Sequence, residues 1–306
     1  MKTFKRAALG AALLAMTAVA QAGPTFDNVK SKGFVQCGVN TGVAGFAQLD
    51  SKGQWTGLDV DLCRAIAATV FNDASKYKVT PLTTQQRFTA LQAGEIDVLT
   101  RNTTQTLTRD TTLGLIGAGV NYYDSQGVLV RKDLGLKSAK ELDGATVCVQ
   151  PGTTTELNLS DWFRSEKLTF KPVVVDKSEE AARVFSSGRC DAFTTDKSQA
   201  AAIRSTFSNP DDYVILPEDF SKEPLGPLVR QGDDQWFNIV RWSLNAMLEA
   251  EEYGITSKKR RRATQKQQSE RSAHSRRVAG HGQEPRRGRE VGLQHRQAGG
   301  QLRRKL

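Results

Sequence analysis

After its first two dozen residues the 306-residue chain has no run of ~20 consecutive apolar residues, so nothing downstream has the composition of a transmembrane helix. It has no Cys-x-x-Cys pair, and none of its three histidines lies near a cysteine. The usual sequence grounds for a metal centre are therefore missing, and neither metal nor cofactor is expected. From Ser257 onward there is no Phe, Tyr, Trp, Ile, Met, Asp, Asn or Cys. A segment so poor in apolar side chains cannot bury enough surface to offset chain entropy, and disorder is expected for 257–306.

The charge is as uneven as the composition. Residues 257–306 hold 16 Lys/Arg and 3 Asp/Glu, a net of +13, whereas the whole chain is +10, which leaves −3 for residues 1–256. "KKRRR" and "RRGR" have the look of a nucleic-acid arm. The other end of the chain argues against that partner. Lys2, Lys5 and Arg6 precede the apolar run Ala7–Ala20, and Ala20-Gln21-Ala22 follows. This is the pattern of a secretory signal peptide, residues 1–22, cleaved before Gly23, and it marks the mature chain for export. An exported protein has no obvious nucleic acid to meet. The reading preferred for the tail is a frame shifted near Lys258.

Export also bears on Cys37, Cys63, Cys148 and Cys190. Four cysteines allow three pairings, and an oxidising compartment favours disulfides over free thiols. The pairing Cys37–Cys63 with Cys148–Cys190 is favoured, because each bridge then closes a loop within one half of the chain. Each would stabilise by about 3–4 kcal/mol in the loop-entropy account.

Between Gly23 and Ile255 short apolar runs alternate with amphipathic stretches, the rhythm of an α/β fold. "FVQCGVN" (34–40), "YKVTPLT" and "IDVLT" are expected strands, and "LDVDLCRAIAATVF" (58–71) and "QRFTALQAG" are expected helices, the latter stopped by Gly94. The order then recurs. "ATVCVQPGTTT" (145–155) resembles the first strand and its turn, and "SEEAARVFSSGRCDAFTTD" (178–196) repeats the later helix and strand. Gly94-x-x-Asp97 and Gly188-x-x-Asp191 sit at equivalent places. Two such units within ~230 residues imply two lobes. "YYDSQGVLVRKD" (122–133) and "EPLGPLVRQGD" (223–233) lie where the chain would cross between them. The expected organisation is a discontinuous first lobe, 23–125 and 229–256, a second lobe, 126–228, and a hinged cleft.

"RNTTQTLTRD" (101–110) puts two arginines among hydroxyls at the carboxyl end of an expected strand, where open α/β sheets hold their ligands. Arginine can grip a carboxylate through two parallel hydrogen bonds, and hydroxyls add neutral donors. Arg109 is the expected carboxylate ligand, helped by the Asn102 backbone and Thr104. The bland alternative is a helix capped by Thr108. In the second unit "FTTDKS" ends its strand with Asp196. A carboxylate opposite Arg109 would match the zwitterion of a free α-amino acid. Here the alternative is an ordinary helix-capping aspartate.

Taken together, "CGVNTGVAGFAQLDSKGQWTGLDVDLCRAIAATVF", "RFTALQAGEIDVLTRNTTQTLTRD", "VCVQPGTTTELNL", "TTDKS" and "SKEPLGPLVRQGDDQWFNIVRW" resemble the periplasmic solute-binding proteins. The nearest group is the general L-amino-acid receptors of ABC importers, and the resemblance covers residues 23–257. It implies a type II Venus-flytrap fold, α/β and two-lobed with two hinge crossings. A receptor of that fold closes on a free L-amino acid and docks as a monomer on a membrane permease without catalysis. A dehydratase of cyclic acids on the same fold is the less favoured alternative, since it needs a general acid and none stands out beyond Asp196. By position it assigns the α-carboxylate to Arg109, Asn102 and Thr104, and the α-ammonium to Asp196. Second-lobe contacts fall on Gln150, Thr154 and Thr155, and side-chain contacts on Asn40, Val43, Phe46, Thr84 and Arg87. Arg87 stands where acidic-amino-acid binders hold a distal carboxylate. Relatives continue with about Asn-Val-Asp-Glu where this chain reads Lys-Arg-Arg-Arg, which one extra base would produce. A first lobe left short of its closing helices, and an impaired receptor, is the corresponding expectation.

Overall fold

The computed structural model describes residues 23–256 and Ser269; the expected leader and, apart from Ser269, the basic tail lie outside the described residues. Two sheets organise the chain to Glu249. The first has the order β4 (Tyr77–Leu82), β1 (Val35–Asn40), β5 (Val98–Leu99), β13 (Leu228–Arg230), β6 (Leu115–Gly117). The second has β9 (Phe170–Val174), β8 (Ala145–Val149), β10 (Ala192–Asp196), β7 (Tyr122–Arg131), β11 (Tyr213–Ile215). In each, three strands run parallel in the order second, first, third, and an antiparallel strand follows the third. This is the two-lobed type II periplasmic-binding architecture.

The internal repeat has a physical basis in its aspartates. Gly94 and Gly188 end their helices at φ +76° and +79°, a left-handed conformation cheap only for glycine. Three residues on, Asp97 accepts a 2.7 Å hydrogen bond from Gln36 N, and Asp191 accepts one of 2.8 Å from Thr146 N. Each carboxylate thus pins the start of a third strand to the first strand beside it. The expected strand "IDVLT" contracts to Val98–Leu99, but its ladder continues outside those limits through Asp97 N to Gln36 O and Thr100 N to Gly38 O.

After a short antiparallel pair, β2 (Gln48–Leu49) with β3 (Trp55–Thr56), helix α2 (Leu58–Phe71) buries Leu62, Cys63 and Ile66 against the first sheet, and Cys63 is bonded to Cys37 on β1. Cys148 on β8 is bonded to Cys190, so the second bridge also stays within one sheet's layer. Helix α1 (Pro24–Lys32), with proline in its first turn, has no side-chain cap of its own. Asp233 supplies one: its carboxylate accepts Thr25 N at 2.8 Å and Phe26 N at 3.2 Å, and also Trp236 N at 2.8 Å in the first turn of α8 (Asp234–Glu252). Buried Trp236 and Val240 then complete the first sheet's core.

The chain passes between sheets twice. β6 leads into β7, whose first residues pair with β12 (Lys222–Leu225) before its later residues join the second sheet. β12 then leads back to β13 in the first sheet. The cleft lies between the carboxyl ends of the parallel strands, over this two-stranded crossing. Among the described residues no helix is long and apolar enough to cross a membrane.

Candidate functional site

The carboxyl ends of β4 and β5 deliver the arginines. Arg87, on α3 (Gln86–Gln92), Arg101 and Arg109, on α4 (Leu107–Thr111), are 3 %, 2 % and 6 % exposed, and all line one cavity. Phe88 positions two of them, with its ring centroid 4.6 Å from the Arg87 guanidinium and 4.9 Å from that of Arg109. None of the three forms an ion pair among the described residues. Arg101 Nε donates to Leu82 O at 2.9 Å, Arg109 Nη1 to Thr104 O, and Arg87 Nη2 to Gly152 O at 3.2 Å. Arg87 Nε is buried with no hydrogen-bond partner. Burial pulls Arg101 and Arg109 down to about 10, and burial with repulsion from both holds Arg87 well below its ordinary value. Three guanidinium groups so arranged could receive an anion.

The opposite wall comes from the second sheet: Gln150 after β8, Thr153, Thr154 and Thr155 at the start of α5 (Thr154–Ser165), Asp196 ending β10, and Gln199 on α7 (Lys197–Arg204). Asp196 occupies the N-cap position of α7, yet its side chain makes no cap bond. Asp124 on β7 does that work, accepting from Ser198 N at 3.3 Å and from Ser198 Oγ. The Asp196 carboxylate is left 6 % exposed against the cavity. Burial, reinforced by the Glu223 and Asp124 carboxylates, pushes it up to about 8, against the pull of Arg87.

Of the residues expected from sequence, Thr84, Arg87, Asn102, Thr104, Arg109, Gln150, Thr154, Thr155 and Asp196 line this cavity together. Asn40, Val43 and Phe46 do not. Asn40 is buried one layer back, its Nδ2 donating to Asn102 Oδ1 at 3.0 Å and its Oδ1 accepting from Ser178 Oγ at 3.2 Å. Phe46 packs with Val43 and Leu225 and meets the edge of Tyr122 at 5.5 Å. Two further expectations change. The Asn102 N–H, expected as an anion donor, donates instead to Asp59 Oδ2 at 3.0 Å, and burial pushes that carboxylate up to about 7. The cap of α4 is Thr106, which accepts from Arg109 N at 3.2 Å, and not Thr108. Arg101 and Gln199 were not singled out by sequence reasoning. Arg101 was visible as the first arginine of "RNTTQTLTRD", and Gln199 sits three residues after Asp196 on the same helical face.

The walls meet closely. Thr84 Oγ1 donates to Asp176 Oδ1 at 2.8 Å, Thr41 Oγ1 to Glu179 Oε2 at 2.8 Å, and Asn102 Nδ2 to Gln199 Oε1 at 3.1 Å. The cavity between the walls holds about 20 Å³, room for about one water. An open hollow of about 650 Å³ beside α6 (Ser178–Ser186) and α7 contains none of the three arginines and not Asp196. No group of three or more His, Cys, Asp or Glu among the described residues is placed to hold a metal.

Comparison with known proteins agrees with this architecture. The general L-amino acid-binding periplasmic protein AapJ of Rhizobium johnstonii is 57% identical over 250 residues, 82% of this chain and 73% of that protein. The glutamate/glutamine/aspartate/asparagine-binding protein BztA of Rhodobacter capsulatus is 54% identical over 245 residues, 80% of this chain and 72% of that one. A solved ABC transporter periplasmic binding protein from Brucella ovis, with glutathione bound, superposes with a TM-score of 0.73 at 58% identity, covering 76% of this chain and 73% of that one. Residues 35–259 match the family description itself, and the chain belongs to the bacterial extracellular solute-binding proteins, family 3.

Proposed function

We propose that the protein is a periplasmic receptor that closes on one free L-amino acid and hands it to the permease of an ABC importer, acting as a monomer without chemistry of its own. The observation that carries this reading is the pair Arg109 and Asp196. They are buried in one cavity from opposite sheets, and neither is neutralised by an ion pair among the described residues. A zwitterion supplies both missing charges: its carboxylate takes Arg109, with Thr104 beside it, and its ammonium takes Asp196. Gln150, Thr154 and Thr155 donate or accept around the backbone of the ligand. The ligand side chain extends toward Thr84 and Arg87, whose unpartnered Nε favours an acceptor there. Asn40 acts through Asn102, and Phe46 through the packing of the Val43 loop on Leu225.

Receptor function in the relatives supports the reading, since AapJ and BztA are named for amino-acid binding. Thermal unfolding of the full chain with millimolar L-glutamate, L-glutamine, L-alanine or L-leucine tests it. Ligand at a hundred times Kd stabilises by about 2.7 kcal/mol, an upward Tm shift of roughly 5–10 °C for a protein of this size. A melt that none of the four moves contradicts the proposal.

A further inference from the structure

The amino-acid clamp leaves one buried charge at the cleft without a task. Glu223, on crossing strand β12, is 1 % exposed. It shares its inward strand position with buried Leu225, a place normally apolar. Its carboxylate meets no cation among the described residues. It accepts instead from four neutral donors: Thr104 Oγ1, Thr154 Oγ1 at 2.8 Å, Asn158 Nδ2 at 3.1 Å and Ser221 Oγ. Four donors fill the lone-pair sites of one carboxylate.

Those donors come from both sides of the cleft. Thr104 follows β5 in the first sheet, and Thr154 and Asn158 belong to α5 on the second. The two attachments differ in kind. The 103–105 loop is tied to β12 by backbone bonds, Gln105 N to Pro224 O at 2.9 Å and Gly226 N to Thr103 O at 3.0 Å. Only side chains join Glu223 to α5. The chain just before β12 is held on the second side, Phe220 N donating to Gln126 O at 3.0 Å and its ring stacking on Trp162 at 4.3 Å. β12 thus bridges the two sides, and an opening of the cleft would strain the side-chain bonds to Thr154 and Asn158 before the backbone bonds to the 103–105 loop. Closure brings those two donors back to the carboxylate.

We propose that Glu223 is a positioning residue that latches the closed cleft from the hinge side, gathering Thr104 from one lobe and Thr154 and Asn158 from the other onto a single carboxylate. The latch rests on the receptor reading above in one respect: a ligand that needs the closed cleft leaves only when it opens. Thr104 and Thr154, 3.4 Å apart, both line the cavity and both donate to this carboxylate. Its negative charge also acts on both ends of the clamp, favouring the cationic form of Arg109 and disfavouring the anionic form of Asp196.

Glu223→Gln preserves shape and removes the charge, turning one acceptor oxygen into a donor against hydroxyls and an amide. Asn158→Ala removes only a second-lobe donor and keeps the proposal testable if the first variant folds poorly. Stopped-flow tryptophan fluorescence of the full chain with L-glutamate is expected to show dissociation at least tenfold faster for Glu223→Gln. Association should stay within threefold of wild type. Asn158→Ala should change the rates in the same direction, and the double variant should lose less than the product of the two. X-ray scattering of the ligand-free proteins is expected to give larger radii of gyration for both variants. A role in folding alone would lower the ligand-free Tm while leaving dissociation and radius unchanged, and that result overturns the latch. If the wild type binds none of the four amino acids, the receptor reading fails instead. The scattering comparison then decides the latch by itself, equal radii refuting it.

Discussion

The two sheets share a strand order and differ in what they bring to the cleft. Each places the same motif, a left-handed glycine followed three residues later by an aspartate that pins its third strand, just before a strand that ends at the cavity. At the cleft the first sheet delivers three buried guanidinium groups, Arg87 after its second strand and Arg101 and Arg109 after its third, and the second delivers one carboxylate among amides and hydroxyls. A repeated scaffold thus holds complementary charge. The capping of α7 shows how the difference is maintained. An aspartate at the N-cap would ordinarily fold back onto its own helix. Asp124, from the crossing strand, takes over that duty and frees Asp196 for the cavity. The arginine side is arranged in the same spirit, with guanidinium groups held by carbonyls and an aromatic face, Arg87 Nε left unpartnered, and none neutralised by a carboxylate.

Breaking the cationic half should have the largest effect. Arg109→Ala is expected to cost about 2–5 kcal/mol of L-glutamate affinity by calorimetry, the range for truncating one member of a buried charge pair. An unchanged Kd would remove Arg109 from the site. The disulfides compare the two scaffolds directly. The bridges span 26 and 42 residues. Denaturant unfolding should therefore show a loss of about 3.5 kcal/mol for Cys63→Ser and slightly more, about 4 kcal/mol, for Cys190→Ser. The reverse order would mean that strain or local packing outweighs loop length. The anionic half is probed by pH. Asp196, raised to about 8, holds its proton in the free site at neutral pH, and a ligand ammonium favours the ionised form. Binding therefore releases a proton, and affinity rises with pH, approaching tenfold per unit between pH 6 and 7.5 and levelling off above about 8. Asp196→Asn should flatten that profile; an equally steep one would place the titrating group elsewhere.

Much of this was legible in the sequence, because the informative signals were local. Strand–helix alternation, the twin Gly-x-x-Asp motifs and the cysteines at 37, 63, 148 and 190 each speak for the segment that carries them. The cavity's main charges were legible for the same reason, lying at the ends of recognisable strands. What escaped depends on contacts made across the cleft. Nothing near Asn102 announces that its N–H will go to Asp59, forty-three positions earlier. Asn40 stands at the end of β1 like a ligand contact, yet Ser178, 138 positions away, covers it. Glu223 did leave a trace, a charge at an inward strand position, but its four acceptor bonds appear only when two lobes and a hinge are assembled.

The central claim is that the first lobe takes the carboxylate of a ligand and the second takes its ammonium. Calorimetric titration with L-glutamate and with glutarate, which lacks the amino group, tests it most directly when run on both wild type and Asp196→Asn. The wild type should bind glutamate at least tenfold more tightly, and the variant should hardly distinguish the two. If Asp196→Asn discriminates between them as strongly as the wild type does, the ammonium is held elsewhere and the division of charge between the lobes is wrong.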